Sequence, residues 1–236
     1  VAARGAACAH MPLCALEAAL ALVQVQMQTT TSAAPTVWLV TEGAHGGRQP
    51  EQAGSWGLAR SARAEASLPL VCIDVATPQA LTLGQTLTEP EAVLYADVHL
   101  VPRLAQAPHL LEPEVPAPRF DCHLVTGGTG GLGLLTARWL AQRGAQMLAL
   151  GSRVGKVKHE AGSEWSQLQA SGAAALVQRC DTAETAHVKQ LVALALGALY
   201  ATGVWHAAGV LADGVLHRQD AAALAHVYAP KAHGAW

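Results

Sequence analysis

Leu124-Val-Thr-Gly-Gly-Thr-Gly-Gly-Leu-Gly133 holds the residues whose types and spacing best suit binding chemistry. Glycines at Gly127, Gly128, Gly130, Gly131 and Gly133 let the backbone turn tightly and approach a pyrophosphate; only Thr129 and Leu132 interrupt them. An apolar run leads into Thr126, and helical spacing resumes from Leu134 to Arg143. Strand, glycine turn, helix is the context in which such a loop holds phosphate, because the new helix points its first amides at the anion. Two registers fit: G-x-G-x-x-G through Gly128, Gly130 and Gly133, or T-G-x-x-x-G-x-G through Gly127, Gly131 and Gly133. Both predict the same dinucleotide loop over Thr126 to Gly133.

Three further strand ends carry polar or small residues. The strand Gln146 to Gly151 ends at Ser152-Arg153, where an enzyme selecting NAD would place an acid for the ribose hydroxyls. No acid occurs before Glu160, and Arg153 offers a planar cationic fork suited to a 2'-phosphate, with Ser152 as a second donor. NADPH is therefore the expected cofactor. Asp181 and Thr182 follow the next strand; Asp181 can accept from an adenine amino group, or cap a helix through the pattern Asp181-Thr-Ala-Glu184. His206, Ala207, Ala208 and Gly209 close a fourth strand with the small residues needed against a cofactor ribose, although a lone His206 also suits a satisfied buried histidine. Eleven histidines form no metal-ligand spacing, so no metal is expected.

The elements that position these groups form an α/β pattern given twice. Thr36-Val-Trp-Leu-Val-Thr-Glu-Gly-Ala44 parallels Asp121-Cys-His-Leu-Val-Thr-Gly-Gly-Thr129, and Leu70 to Asp74 echoes Leu176 to Asp181. The first half reads as helix 13–28, strand 37–41, helix 52–66, strand 70–75, helix 78–87 and strand 93–101. The second alternates strands at His123, Gln146, Ala174 and Val204 with helices starting near Gly131, His159, Ala183 and Asp220. Two Rossmann-like subdomains with doubly wound parallel sheets follow: residues 1–117, closing in the proline-rich linker 102–118, and residues 118–236. Glu42 stands beside the first copy's turn, where it would repel phosphate, so the N-terminal subdomain is expected to be degenerate and structural.

Composition restricts the function further. With 51% apolar and 14% charged residues in 236, the chain is globular, and a net charge of -2 gives no support for nucleic-acid binding. The most apolar helix, 13–27, includes Glu17 and is too short to span a bilayer. Five cysteines without a C-x-x-C pair read as small buried hydrophobes of a reducing compartment, and a cytoplasmic location is expected.

The glycine loop, Ser152-Arg153, Cys180-Asp181 and His206-Ala-Ala-Gly209 resemble the short-chain dehydrogenase/reductase superfamily. More narrowly, the chain is similar to the ketoreductase domain of modular type I polyketide synthases. That likeness extends through Val37-Trp-Leu-Val-Thr41, Trp56-Gly-Leu-Ala-Arg60, Glu65 and Pro102-Arg-Leu104, which resemble the structural subdomain. It implies NADPH-dependent reduction of a β-ketoacyl thioester on an acyl carrier protein, among neighbouring synthase domains. Pro230-Lys231 matches the segment of the catalytic lysine, while Asp213 matches the second aspartate of a loop associated with B-type stereocontrol; Ala212 departs from that loop. The family's serine, tyrosine and asparagine fall after that lysine, and Tyr228 lies three rather than four residues before Lys231, so the chain alone is expected to be inactive. A silent scaffold domain or the ketoreductase of a fatty acid synthase are the alternatives.

Overall fold

Parallel strands dominate both halves of the protein. The structure is a computed structural model and describes residues 2–4, 12–28, 35–76, 88–95, 98–106, 121–198 and 200–235. The chain packs as two units, Val1–Pro108 with Asp213–Ala225, and His109–Ala212 with His226–Trp236.

In the first unit, β1 (Ala2–Arg4), β2 (Val37–Glu42), β3 (Leu70–Val75) and β4 (Glu91–Tyr95) run parallel in that order. Helices α1 (Pro12–Gln28) and α2 (Gly54–Ala66) cover one face. Leu20 and Val23 of α1 and Trp56, Ala59 and Ala62 of α2 bury against Val37, Leu39, Leu70 and Cys72, the same-face residues of β2 and β3. Asp213–Ala225, beyond the expected boundary at 117/118, is tied to this unit by its backbone. The Leu216 amide donates to Glu65 (2.8 Å), and the Gln24 side chain donates to the carbonyls of Leu216 and Gln219.

One expectation fails here. The single strand read over Val93–Val101 is two: β5 (Val98–Leu100) runs antiparallel to β4, pairing Val98 with Tyr95 and Leu100 with Val93. The run is broken by Asp97, between the two strands, but a single acid gives no direction of pairing. The short β1 was not anticipated, and the helix expected over 78–87 and most of the linker lie outside the described residues.

In the second unit, β6 (Asp121–Thr126), β7 (Met147–Ser152), β8 (Ala174–Arg179) and β9 (Tyr200–His206) form a parallel sheet in the order β8-β7-β6-β9. Alternation along β6 and β7 sorts the core. Val125, Leu148 and Leu150 pack with α3 (Gly131–Gln142) and α4 (Gly162–Ala170), while Cys122, Leu124, Met147 and Ala149 pack with α5 (Thr185–Ala198). The sheet is thus doubly wound, as the spacing predicts. Helix α6 (Ala221–Tyr228) passes into a π-helical turn at Ala229–His233. Cys72, Cys122 and Cys180 are buried as expected, and burial pushes all three thiols up from their ordinary pKa.

The sequence echoes translate into strands but not into equivalent residues. Strand β3 lies directly beside β2, as β7 lies beside β6, so the Leu70–Asp74 run matches β7 in position rather than the Leu176–Asp181 run that it resembles. Short apolar runs ending in Asp are too generic to fix which strand corresponds to which.

Candidate active site

Chain order reverses between β6 and β9, and at such a switch point the loops leaving the strands separate and open a crevice beyond their carboxyl ends. A cavity of about 400 Å³ lies there. Its wall includes Gly127, Thr129 and Gly130 after β6, Ser152 and Arg153 at β7, Asp181 and Thr182 after β8, and Ala207, Ala208 and Gly209 after β9. Ten of the residues read from the sequence therefore converge on one space. Thr126, Gly128, Gly131, Leu132, Gly133, His206 and Lys231 stand outside its immediate lining, and Asp213 is exposed in the segment that packs with the first unit.

The glycines are required by the turn itself. Gly127 has φ +67°, and a Cβ there would come within 2.6 Å of the Ala207 carbonyl oxygen. At Gly133 a Cβ would run into the backbone of Gly127 and Gly128, whereas at Gly131 it would meet nothing, which leaves room for a ligand above the helix start. Gly130 is the N-cap of α3 and supplies no side-chain cap, so no side chain of its own satisfies the helix's first amides. Open amides at the start of a twelve-residue helix are chemically suited to an anion such as phosphate.

Arg153 and Lys158 bring positive charge to the wall of the same cavity. Arg153 is exposed on the wall and makes no ion pair or side-chain hydrogen bond with any described residue. Lys158 and His226 also line the cavity, and no motif in the sequence points to either. Ser152 is buried, and its hydroxyl oxygen accepts from the Gly155 amide at 3.0 Å, which fixes the turn that presents Arg153. The Asp181 carboxylate accepts from the Ala183 amide (3.1 Å) in a local turn, and α5 starts only at Thr185, so Asp181 is not that helix's N-cap.

His206 is exposed rather than buried, and both ring nitrogens are engaged. Nδ1 lies 2.8 Å from the Thr126 hydroxyl and Nε2 lies 2.9 Å from the Pro230 carbonyl oxygen. Lys231 follows Pro230, and its side chain crosses Gly209 so closely that a Cβ at Gly209 would be 3.0 Å from Cε. Tyr228 packs edge-on against His233, with ring centres 5.1 Å apart, and neither it nor Tyr95 lines the cavity.

The corresponding turn of the first unit is closed by a residue that the sequence did not single out. Asp74, 1% exposed, accepts from the Thr41 hydroxyl (2.8 Å) and from the amides of Ala44 (2.9 Å) and His45 (3.0 Å). Trp56 donates to Thr41 at 3.1 Å, completing the network. The amides that would face an anion are thus occupied by the protein's own carboxylate.

Comparison with known proteins covers nearly the whole chain. Residues 2–104 match the Rossmann fold domain of polyketide synthase extender module SpnB, and residues 122–236 match the KR domain family. Polyketide synthase GfsE of Streptomyces halstedii is 33% identical over 94% of the chain, which spans 6% of that synthase. Erythronolide synthase EryA3 of Saccharopolyspora erythraea is 35% identical over 68% of the chain and 5% of its own length. Among solved structures, an A-type ketoreductase from a modular polyketide synthase superposes with a TM-score of 0.75 at 28% identity, covering 93% of this chain and 50% of that one. The first ketoreductase of the tylosin synthase gives 0.72 at 27%, over 92% and 49%. The chain thus spans about half the length of these solved ketoreductases. With both halves matched, in order, to the two halves of one domain, the chain belongs to the ketoreductase-domain family of modular polyketide synthases, within the short-chain dehydrogenase/reductase fold.

Proposed function

We propose that this chain provides the NADPH site and the catalytic lysine of a β-ketoacyl reductase, which reduces a β-ketoacyl thioester carried on the phosphopantetheine arm of an acyl carrier protein. One observation carries the cofactor choice: Arg153 stands on the cavity wall without a side-chain partner among the described residues, at the strand end where an acid would select NAD. The open helix start at Gly130–Gly133 suits the pyrophosphate, Arg153 and Ser152 suit the 2'-phosphate, and Asp181 suits the adenine amino group. Ala207, Ala208 and Gly209 leave the wall low for a ribose.

NADPH supplies a hydride when bound. The chain's own contribution is to hold the dinucleotide against β6 and β9 and to present the Lys231 ammonium beside Gly209, where it favours ionisation of a neighbouring proton donor. Neither Tyr95 nor Tyr228 lines the cavity, and Tyr200 opens β9 at the end away from it, so in this reading the chain by itself binds cofactor without completing the reduction. The first unit serves as a cofactor-free structural subdomain, since Asp74 fills its turn. Asp213 acts at the substrate entrance, and neighbouring synthase domains are its partners. No helix among the described residues is long and apolar enough to cross a membrane.

Fluorescence titration tests the assignment. NADPH should bind well tighter than NADH, and Arg153→Ala should weaken NADPH by about tenfold to hundredfold, the worth of one lost charged hydrogen-bonding group. Equal affinities for the two dinucleotides in the wild-type chain would overturn the role of Arg153.

A further inference from the structure

Lys231 sits in the π-helical turn Ala229–His233, and the cause of that turn is its neighbour. Pro230 has no N–H to direct at His226, so α6 cannot continue in α geometry and widens. The carbonyl of Pro230 is the turn's anchor. It accepts from His206 Nε2 at 2.9 Å and from the Thr182 hydroxyl at 3.4 Å. A carbonyl can only accept, so Nε2 carries a proton, and in the neutral imidazole Nδ1 then accepts from the Thr126 hydroxyl at 2.8 Å. That hydroxyl in turn accepts from the Ala208 amide at 3.4 Å.

Thr126 and His206 are register partners on adjacent strands β6 and β9, the two strands that flank the switch point. The route Ala208–Thr126–His206–Pro230 therefore runs from the cavity wall to the residue before the lysine. Ala229 and Pro230 themselves line the cavity, so any shift of the turn changes the wall as well as Lys231.

We propose that His206 is a positioning residue: through its Nε2–H bond to the Pro230 carbonyl it sets the Lys231 ammonium in register with the cofactor cavity. The proposal rests on the assignment of Lys231 as the reductase lysine. It explains why an imidazole stands on an exposed strand end, since only a side chain with a near acceptor and a far donor satisfies both contacts at once.

The test uses the whole chain, whose four lysines can be labelled as ¹³C-dimethylamines and distinguished by Lys231→Arg. In the cofactor-free protein the Lys231 signal should stand apart from those of Lys156, Lys158 and Lys189. His206→Ala should move it toward the positions of Lys156 and Lys189, which are exposed and do not line the cavity. His206→Asn keeps only the near contact to Thr126 and should behave like alanine, whereas His206→Gln reaches Pro230 and should restore the signal. NADPH binding should weaken by about threefold to tenfold in the alanine and asparagine variants, the worth of one hydrogen bond. An unchanged Lys231 signal in folded His206→Ala would overturn the proposal. If the alanine variant does not fold, identical Lys231 signals in the asparagine and glutamine variants would do so. A chain in which Lys231 responds as expected but the wild type binds no NADPH would refute the cofactor assignment and leave the positioning role standing.

Discussion

Removing the Asp74 carboxylate should expose how the first unit came to be closed. In Asp74→Ala the Ala44 amide loses a buried acceptor, while the exposed His45 can turn its amide to water and the Thr41 hydroxyl retains the Ile73 carbonyl at 3.4 Å. The net loss is therefore less than three full hydrogen bonds, and we expect about 2–4 kcal/mol from one orphaned amide and the lost charged contacts. For a chain of this length that corresponds to a fall of about 5–15 °C in Tm. The variant also leaves a hole of carboxylate size facing two backbone amides. Formate should fill it and raise the Tm of Asp74→Ala, but not of wild type, relative to chloride at equal ionic strength. Thermal melts followed by Trp fluorescence and circular dichroism read both effects, because Trp56 is bonded into the network through Thr41. A loss below about 1 kcal/mol, or formate acting equally on both proteins, would refute the idea that Asp74 is the unit's built-in anion.

Two further outcomes follow from the same geometry. Gly133→Ala should abolish NADPH binding while leaving the melting of the first unit intact, since the new Cβ would collide with the backbone of Gly127 and Gly128; cofactor affinity within about twofold of wild type would contradict the loop's close packing. Glu91 is buried and accepts from Arg60 and Arg63, and the Arg60 guanidinium, bonded to it and lying alongside it, holds its carboxyl below the ordinary value. Because the folded pKa is the lower one, this stabilisation is complete above the ordinary Glu range near 4.5 and disappears as pH falls through the depressed value. Glu91→Gln should therefore be less stable than wild type at neutral pH, and the gap should narrow on acidification; a pH-independent gap would show that packing rather than charge is at stake.

How much of this was legible in the sequence varies with how local each cause is. The glycine turn after β6 was readable because its glycines answer largely local demands, a positive φ at Gly127 and a backbone contact at Gly133. The parallel strands were readable because runs such as Met147–Ser152 are buried throughout. The reversal between β4 and β5 was not, since pairing direction is set by the chain around it rather than by side-chain pattern. Neither were the functions of Asp74 and His206. Each acts through a partner more than twenty residues away, Asp74 on Ala44 and His206 on Pro230, and no spacing rule connects them. Glu42 offered a plausible reason for a closed first copy, but the amides are closed from β3, a strand that brings its carboxylate in only once the sheet has formed.

The most direct test of the central claim is an ¹⁵N amide titration of the chain with NADPH. One dinucleotide should bind per chain, shifting the amides of Thr129, Gly130, Gly131, Leu132, Gly133 and Arg153 while those of Gly43 to Gly47 stay still, because Asp74 already holds that turn. Shifts confined to the first unit's turn, or none at the glycine loop, would contradict it.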